Sequence, residues 1–517
     1  MTRLFGFFQS GVSVGAADAE LRYAASQAAE PALQSDSDGA LAVSLGPVAR
    51  RHRDTQLALC GRARFSGEPL ESGSESLLDS LIDTFHDDPL AVLARLEGSF
   101  AIALMNPSTR KALLAVDRMG IERLTYAATS ESLIFGTSAS AVARFPGQSH
   151  PLRDQAVYDF LFMHMIASPN TAFGGVDKLA PATALIYSDG RSEIRRYWEP
   201  TYDYADTGDF DELRNSLFEA MKTGIADSGI DNRSGAFLSG GLDSSSVTGT
   251  LAGLSDSQAK TFTVGFGVSE YDELEFARVA NRHFGCQPHE YQMQPADIVE
   301  AFPRIAAAYD EPFGNSSAAP TYFCAKLAAD NGIDHLLAGD GGDELFGGNE
   351  RYAKQTVFDA YFRLPVFLRR SIMEPVARVI GSENPLMPLR KFASYVEQAS
   401  IRLPERFENW NVIYREGRAL LLDKAFADSV DMEAPLHLMR TIWESAPSEN
   451  LLEKMLWYDW KFTLADNDLR KVGTMCELAG VRVSFPLLHP AVVELSTRVP
   501  PSLKMKRLEL RTFFRRA

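Results

Sequence analysis

Cysteine is scarce in this 517-residue chain: Cys60, Cys286, Cys324 and Cys476 lie far apart and form no C-x-x-C pair. That usage supports neither a disulfide framework nor a zinc site, and it fits a reducing cytoplasm. Positive charge is short as well. Lys and Arg number 52 against 68 Asp and Glu, a net charge of −16, whereas a nucleic-acid binder needs a basic surplus to neutralise phosphates. No apolar run reaches the ~18 residues of a membrane span. The N-terminal MTRLFGFFQSGVSVGAA has a faint signal-peptide look, but Gln9, Ser10 and Ser13 interrupt its apolar core. Internal repeats and low-complexity tracts are missing too. What is present is an ordinary soluble-enzyme composition, 45% hydrophobic and 23% charged. It favours small-molecule or peptide partners over nucleic acid or membrane. At roughly 150 residues per domain, such a length predicts about two to four domains.

Two rhythms divide the chain. Over residues 1–200, short apolar or alternating runs (LFGFF, ALAVSLG, TQLALCGRARF, SFAIALMN, KALLAVD, SLIFGT, TALIYS) mix with helical segments such as ESLLDSLIDTFHDDPLAVLARL and DQAVYDFLFMHM. Mostly antiparallel sheet with packed helices is the layer solution for that pattern. YWEPTYDYADTGDFDEL, polar and poor in aliphatic residues, reads as a linker. Over residues 210–517, strands (GAFLS, KTFTVGF, PHEYQM, IDHLLAG) first alternate with helices (SSSVTGTLAGL, EYDELEFARVANRHFG, PADIVEAFPRIAAAYD, APTYFCAKLAADNG). This alternation predicts an α/β fold with a doubly wound parallel sheet. Residues 353–470 read as a helical extension, SENLLEKMLWYDWKFTLADNDLRK being its clearest amphipathic piece.

FLSGGLDSSSVTG, residues 237–249, lies at the carboxyl end of the first parallel strand, where doubly wound sheets bind ligands. Gly240 and Gly241 allow a sharp turn and close approach of a ligand. Ser239, Ser244 and Ser245 supply hydroxyls, and the helix start presents unpaired N–H groups. Together these make an anion cradle, though not a Walker A loop, because no Gly-Lys-Ser/Thr follows. Asp243 would repel a phosphate there unless a cation lay between them, which points to Mg²⁺. The blander alternative is a Gly/Ser helix cap with Asp243 at the surface. A second stretch, LLAGDGGDELFGGN at 336–349, is another apolar strand entering a glycine-rich turn, and it carries Asp340, Asp343 and Glu344. Parallel strands deliver their carboxyl ends to one edge, so these acids could face Asp243 and hold Mg²⁺ with water and phosphate oxygens.

SGGLDSS resembles the pyrophosphate loop of ATP pyrophosphatases. With FTVGF…SEYDE, DEPFGNSSAAPTYF, GDGGDELFGGNERY and DNDLRKV in that order, the chain resembles the asparagine synthetase family of class B type. LEGSFAIALMNPSTRKALLAVDRMGIERLTYA is similar to that family's N-terminal amidotransferase domain, which implies an Ntn-hydrolase-like α+β sandwich ahead of the ligase domain. The resemblance implies that a carboxylate attacks the α-phosphate of ATP, that pyrophosphate leaves, and that nitrogen opens the acyl-adenylate to give an amide and AMP. It assigns Ser239, Gly240, Gly241, Asp243 and Ser244 to pyrophosphate, and Asp243 and Asp343 to Mg²⁺. Leu238, Val264 and Gly339 would line the nucleotide pocket, and Asp340 would orient or deprotonate the amine. Lys504 or Lys506 would be the lysine near the adenylate, in a segment that family members usually continue with a Lys- and Gly-Phe-containing tail.

Departures from the family pattern matter equally. Thr2 stands where glutamine-using members carry their nucleophilic cysteine. CGRARF replaces an Asn-Gly-Glu segment, and Gly73 replaces an aspartate. Loss of nucleophile and recognition groups together implies a silent glutaminase. Arg482, Ser484 and His489 stand where the family has Glu, Arg and Asp, in a segment expected to shape the acceptor pocket. Three functions remain open: amide formation with ammonia, ring closure by the substrate's own amine as in β-lactam synthetases and lasso-peptide cyclases, and ATP binding without turnover. A homodimer is compatible with the sequence, which does not settle the oligomeric state.

Overall fold

The computed structural model describes residues 4–9, 32–35, 41–44, 48–71, 74–106, 108–205, 208–267, 273–416 and 421–517. Thr2, Gly73 and most of SEYDE lie outside the described residues. The N-terminal half contains two antiparallel sheets. One runs in the order Asp177–Lys178, Thr125–Ala128, Ser132–Gly136, Leu4–Gln9, Leu41–Ser44, Ala32–Ser35. The other runs Arg191–Arg196, Thr183–Ser188, Lys111–Val116, Leu96–Asn106, Thr55–Phe65, Val48–His52, with Glu68–Pro69 also on Thr55–Phe65. Alternation in TQLALC is read out side by side. Leu57 and Leu59 join the cluster beneath helices Glu75–Asp87 and Pro89–Arg95, while Ala58 and Cys60 face the other sheet. Leu4, Leu133 and Phe135 meet Ala101, Ala103, Leu114 and Leu185 between the sheets. Small side chains on that inner face suit two sheets stacked ~10 Å apart. Because the second sheet is covered on both faces, residues 100–105 of the strand Leu96–Asn106 read as one apolar run.

The second half is built on five parallel strands: β1 (Ser234–Phe237), β2 (Lys260–Gly265), β3 (Gln287–Gln292), β4 (His335–Leu337) and β5 (Arg482–Ser484), in the order β3-β2-β1-β4-β5. Ala236 pairs with Thr261 on one side and Leu337 on the other. Helices Phe210–Asp227, Leu242–Leu254 and Leu274–Phe284 pack together in one layer, and Pro295–Ala308, Ala318–Asp330 and Leu469–Ala479 in another. The winding therefore reverses between β1 and β4, the switch point at which such sheets open a crevice. β5 is a strand that periodicity did not predict. The long amphipathic piece differs from expectation as well: α-helix Leu451–Asp459 passes into a π-helical segment Trp460–Asp468 before α-helix resumes. Such widened turns concentrate at functional sites.

The halves meet through buried polar contacts. Ser168 donates its N–H and hydroxyl to Asp466 at 2.8 Å each, and Ala172 N donates to Glu311 at 2.7 Å. Glu311 also faces Lys178 at 3.5 Å and Arg470 at 3.3 Å. Among the described residues, no helix is long and apolar enough to cross a membrane.

Candidate active site

β1 ends at Phe237 and the chain turns through 238–241 into the helix Leu242–Leu254. Gly240 takes φ +83°, and a Cβ there would lie 2.5 Å from Phe276 and Ala277, so glycine is required twice over. Ser239 and Ser244 fold the loop, their hydroxyls 3.0 Å apart, with Gly241 N donating to Ser239 Oγ at 3.2 Å. Ser239 and Gly241 are exposed, facing the open edge of the sheet. Leu238 is only 2% exposed, so its side chain belongs to the core, and its carbonyl accepts from Thr263 Oγ1 at 2.7 Å. Val264, near the end of β2, is half-buried.

β4 delivers the second loop to the same place. A Cβ on Gly339 would stand 2.7 Å from Ser244 N, and one on Gly342 2.8 Å from Asp243 Oδ2 and closer still to Oδ1. The two loops thus touch backbone to backbone, with the Asp243 carboxylate lying on Gly342. Asp343, one residue further along the helix Gly342–Phe346, completes a pair of carboxylates bridged by one cation. That cation is Arg511, whose Nη1 is 2.9 Å from Asp243 Oδ1 and whose Nη2 contacts Asp343. Burial pushes the Asp243 carboxyl up to about 6, against the pull of Arg511 and with a further push from Asp340.

Asp340 occupies the other side of the loop. Burial raises its carboxyl above the usual range, Lys471 draws it back and Asp468 opposes Lys471. Lys471, from the helix Leu469–Ala479, lies 3.1 Å from Asp468 Oδ1. Against burial, Asp340 and Asp468 hold its ammonium above the ordinary lysine range. Glu344 is 9% exposed and is pushed up to about 8 by burial and by Asp459.

The tertiary structure brings together Ser239, Gly240, Gly241, Asp243, Ser244, Gly339, Asp340 and Asp343. Lys504 lies beside Gly347, at the end of the helix that carries Asp343. Lys504 is 1% exposed, its ammonium lowered to about 8 by burial and opposed by Glu453. Lys506 is exposed in a turn closed by its backbone bonds with Glu509. The lysine coupled to Asp340 is Lys471, inside DNDLRKV, where Asp468 and Lys471 share a helix face three residues apart. Arg511 carried no sequence signal, being 268 residues from Asp243. The segment expected to shape the acceptor pocket runs beside the second loop: Ala338 N donates to Ser484 O at 2.9 Å, and the Leu488 side chain fills the space a Cβ on Gly341 would need. Arg482 faces Asp334 at 3.8 Å and Ser484 bonds His335 at 2.8 Å. His489 meets Asp227, which also holds Arg64 of the N-terminal half at 2.6 Å.

Parallel sheet, switch-point loops and paired carboxylates form the architecture that doubly wound proteins use for phosphate-bearing ligands. A family model described as asparagine synthase matches residues 219–517, and one described as glutamine amidotransferase domain matches residues 62–198. The first match takes in more than half of the chain, which belongs to the asparagine synthase family. The glutamine-hydrolyzing asparagine synthetase 1 of Bacillus subtilis is 22% identical over 449 residues, 86% of this chain and 68% of its own. A Methanocaldococcus jannaschii protein provisionally named glutamine-hydrolyzing asparagine synthetase 2 is 28% identical over 347 residues, 61% of this chain and 64% of its own. Amidase chry2 of Gibberella zeae is 24% identical over 457 residues, 81% of this chain and 65% of its own. The chain thus spans about two thirds of the length of these curated relatives. A solved structure of the allosteric regulatory enzyme of purine biosynthesis covers 57% of this chain at 11% identity and a TM-score of 0.27, too distant to bear on the fold.

Proposed function

We propose that this chain is an ATP-dependent amide-forming ligase. A carboxylate attacks the α-phosphate of ATP, pyrophosphate leaves, and a nitrogen nucleophile opens the acyl-adenylate to give an amide and AMP. One observation carries the reading: two acidic, glycine-bent loops meet at one sheet edge, where Asp243 and Asp343 share a single cation. Their donor set suits Mg²⁺, which is ordinarily held by one or two carboxylates plus water and phosphate oxygens. Among the described residues no group of three or more His, Cys, Asp or Glu forms an all-protein metal cage. When bound, Mg²⁺ neutralises charge between those carboxylates and the leaving phosphates.

The chain's own groups supply the rest. Ser239 and Ser244 hydroxyls and the open helix start at Gly241 cradle the departing pyrophosphate, which stabilises charge where it develops. Gly240 and Gly339 keep the loops free of Cβ atoms, and Leu238 and Val264 line the nucleotide side through their backbones. Asp340, its carboxyl raised by burial and drawn back by Lys471, is placed to accept a proton from the amine. The substrate class is a small-molecule or peptide carboxylate, with nitrogen from ammonia or from the substrate itself. Residues 1–200 and 210–517 form the amidotransferase-like and ligase domains. The first is proposed to lack glutaminase activity, since Thr2 replaces the cysteine and Arg62 of CGRARF donates to Ser228 O in the ligase half.

The direct test is to incubate the protein with ATP, Mg²⁺ and candidate carboxylates and to measure pyrophosphate and AMP. Asp343→Asn should abolish pyrophosphate release with circular dichroism unchanged. Undiminished release in that variant would remove the proposed metal role, and ATP-independent amide hydrolysis would replace the ligase by an amidase.

A further inference from the structure

We propose that Arg511 is a tethered counter-ion of the cation site: its guanidinium bridges Asp243 and Asp343 in the metal-free protein, and a divalent cation enters by displacing it. The inference rests on the reading of those two aspartates as a cation site.

Arg511 is anchored rather than trailing. Its backbone N donates to Gly347 O at 3.3 Å, at the end of the helix that carries Asp343. It sits in the left-handed region at φ 54°, from which the chain enters the helix Thr512–Arg516. Phe513 and Phe514, 1% and 5% exposed, pack beneath, Phe514 stacked on Phe346 at 4.8 Å. The guanidinium is therefore delivered to the carboxylates by a buried aromatic footing, and its side chain is only 16% exposed. Little conformational freedom is left to lose on forming the bridge.

Electrostatics require some cation at this place. Two half-buried carboxylates on touching loops repel each other, and the forked guanidinium sets a positive charge against both at once. A Mg²⁺ ion needs the same oxygens at about 2.1 Å in near-octahedral geometry. The Nη atoms already contact those oxygens, so the two cations exclude one another. Arg511 is thus a positioning residue. It keeps the two loops closed before loading and lowers the apparent affinity for a free divalent ion, so that the ion is taken up together with phosphate oxygens, which add ligands.

The experiment is a Mn²⁺ titration without nucleotide of the wild type, Arg511→Gln and Asp343→Asn, read by electron paramagnetic resonance of the free ion, with melting curves in EDTA. Arg511→Gln should bind Mn²⁺ about tenfold more tightly, about 1.4 kcal/mol, and should melt lower in EDTA with the loss restored by Mn²⁺. Arg511→Lys, whose ammonium cannot fork, should fall between, and it serves if the glutamine variant does not fold. In the wild type, Mn²⁺ should speed hydrogen exchange over residues 509–516. Equal or weaker Mn²⁺ binding in both Arg511 variants overturns the proposal while Asp343→Asn still abolishes binding. Wild-type binding by Asp343→Asn overturns the cation site itself.

Discussion

Gly342→Ala isolates the contact on which the site depends. The backbone of Gly342 lies outside the left-handed region. Alanine is therefore allowed there and, early in a helix, is favoured by up to about 1 kcal/mol. Any loss must be steric. The new Cβ would stand 2.8 Å from Asp243 Oδ2, and ordinary contact begins at 3.4 Å, so Oδ2 must retreat by about 0.6 Å and Oδ1 by more. Metal–ligand distances tolerate about ±0.2 Å, so the Asp243 carboxylate leaves the cation's reach. Overpacking of this kind costs about 1–3 kcal/mol of stability, a loss readable by urea denaturation. A displacement approaching 1 Å at a reacting site costs about 100-fold in rate, so pyrophosphate release should fall by that order, with Mn²⁺ affinity falling alongside. Gly253→Ala is the matched control, since a Cβ there meets nothing within 4 Å. It should match the wild type in both assays and gain a few tenths of a kcal/mol in stability. Wild-type pyrophosphate release and cation affinity in Gly342→Ala would refute the loop contact as the origin of the site.

Lys471→Met should lower pyrophosphate-coupled amide formation by about 10²-fold and move the acid limb of the pH–rate profile upward, because Asp340 loses the charge that draws its carboxyl back down; an unmoved limb would separate the two residues. Lys506→Ala, at an exposed turn, should leave the rate within about twofold. In EDTA, stability should fall as pH rises from 5 to 8.5. Asp243 and Glu344 are raised to about 6 and about 8 by burial, so their neutral forms favour the fold and that contribution is lost as pH climbs through those values. Stabilisation by Mg²⁺–ATP should show the opposite trend, fading below about pH 6 as Asp243 takes up a proton; melting curves across pH with and without ligand test both signs. Thr2→Ala should leave ligase turnover unchanged, and loss of a glutamine-hydrolysing activity in that variant would contradict a silent glutaminase.

Local chemistry in the sequence was enough to determine several things about this protein. Apolar runs ending in glycine-rich acidic turns marked β1 and β4, and the short apolar run TQLALC marked a strand of the N-terminal half. SGGLDSS and GDGGDE carried their own turn geometry and charge. Helix–strand alternation implied a parallel sheet and hence a shared edge for the two loops. The turn and strand signals each span about a dozen residues or fewer, the range over which turn preference and side-chain periodicity act, and the alternation is their succession along the chain. Tertiary structure decided the rest. Three-residue β5 has no signature of its own and exists because β4 offers it an edge. Asp459 at the end of one helix meets Arg351 and Tyr352, Asp468 at the end of the π-helical segment meets Lys471, and both act on the buried Glu344. Lys504 points to Glu453 while Lys471 reaches Asp340, and Arg511 crosses 268 residues of chain to bridge two aspartates. Such long-range choices depend on which buried faces pack together, and no window of the chain encodes that alone.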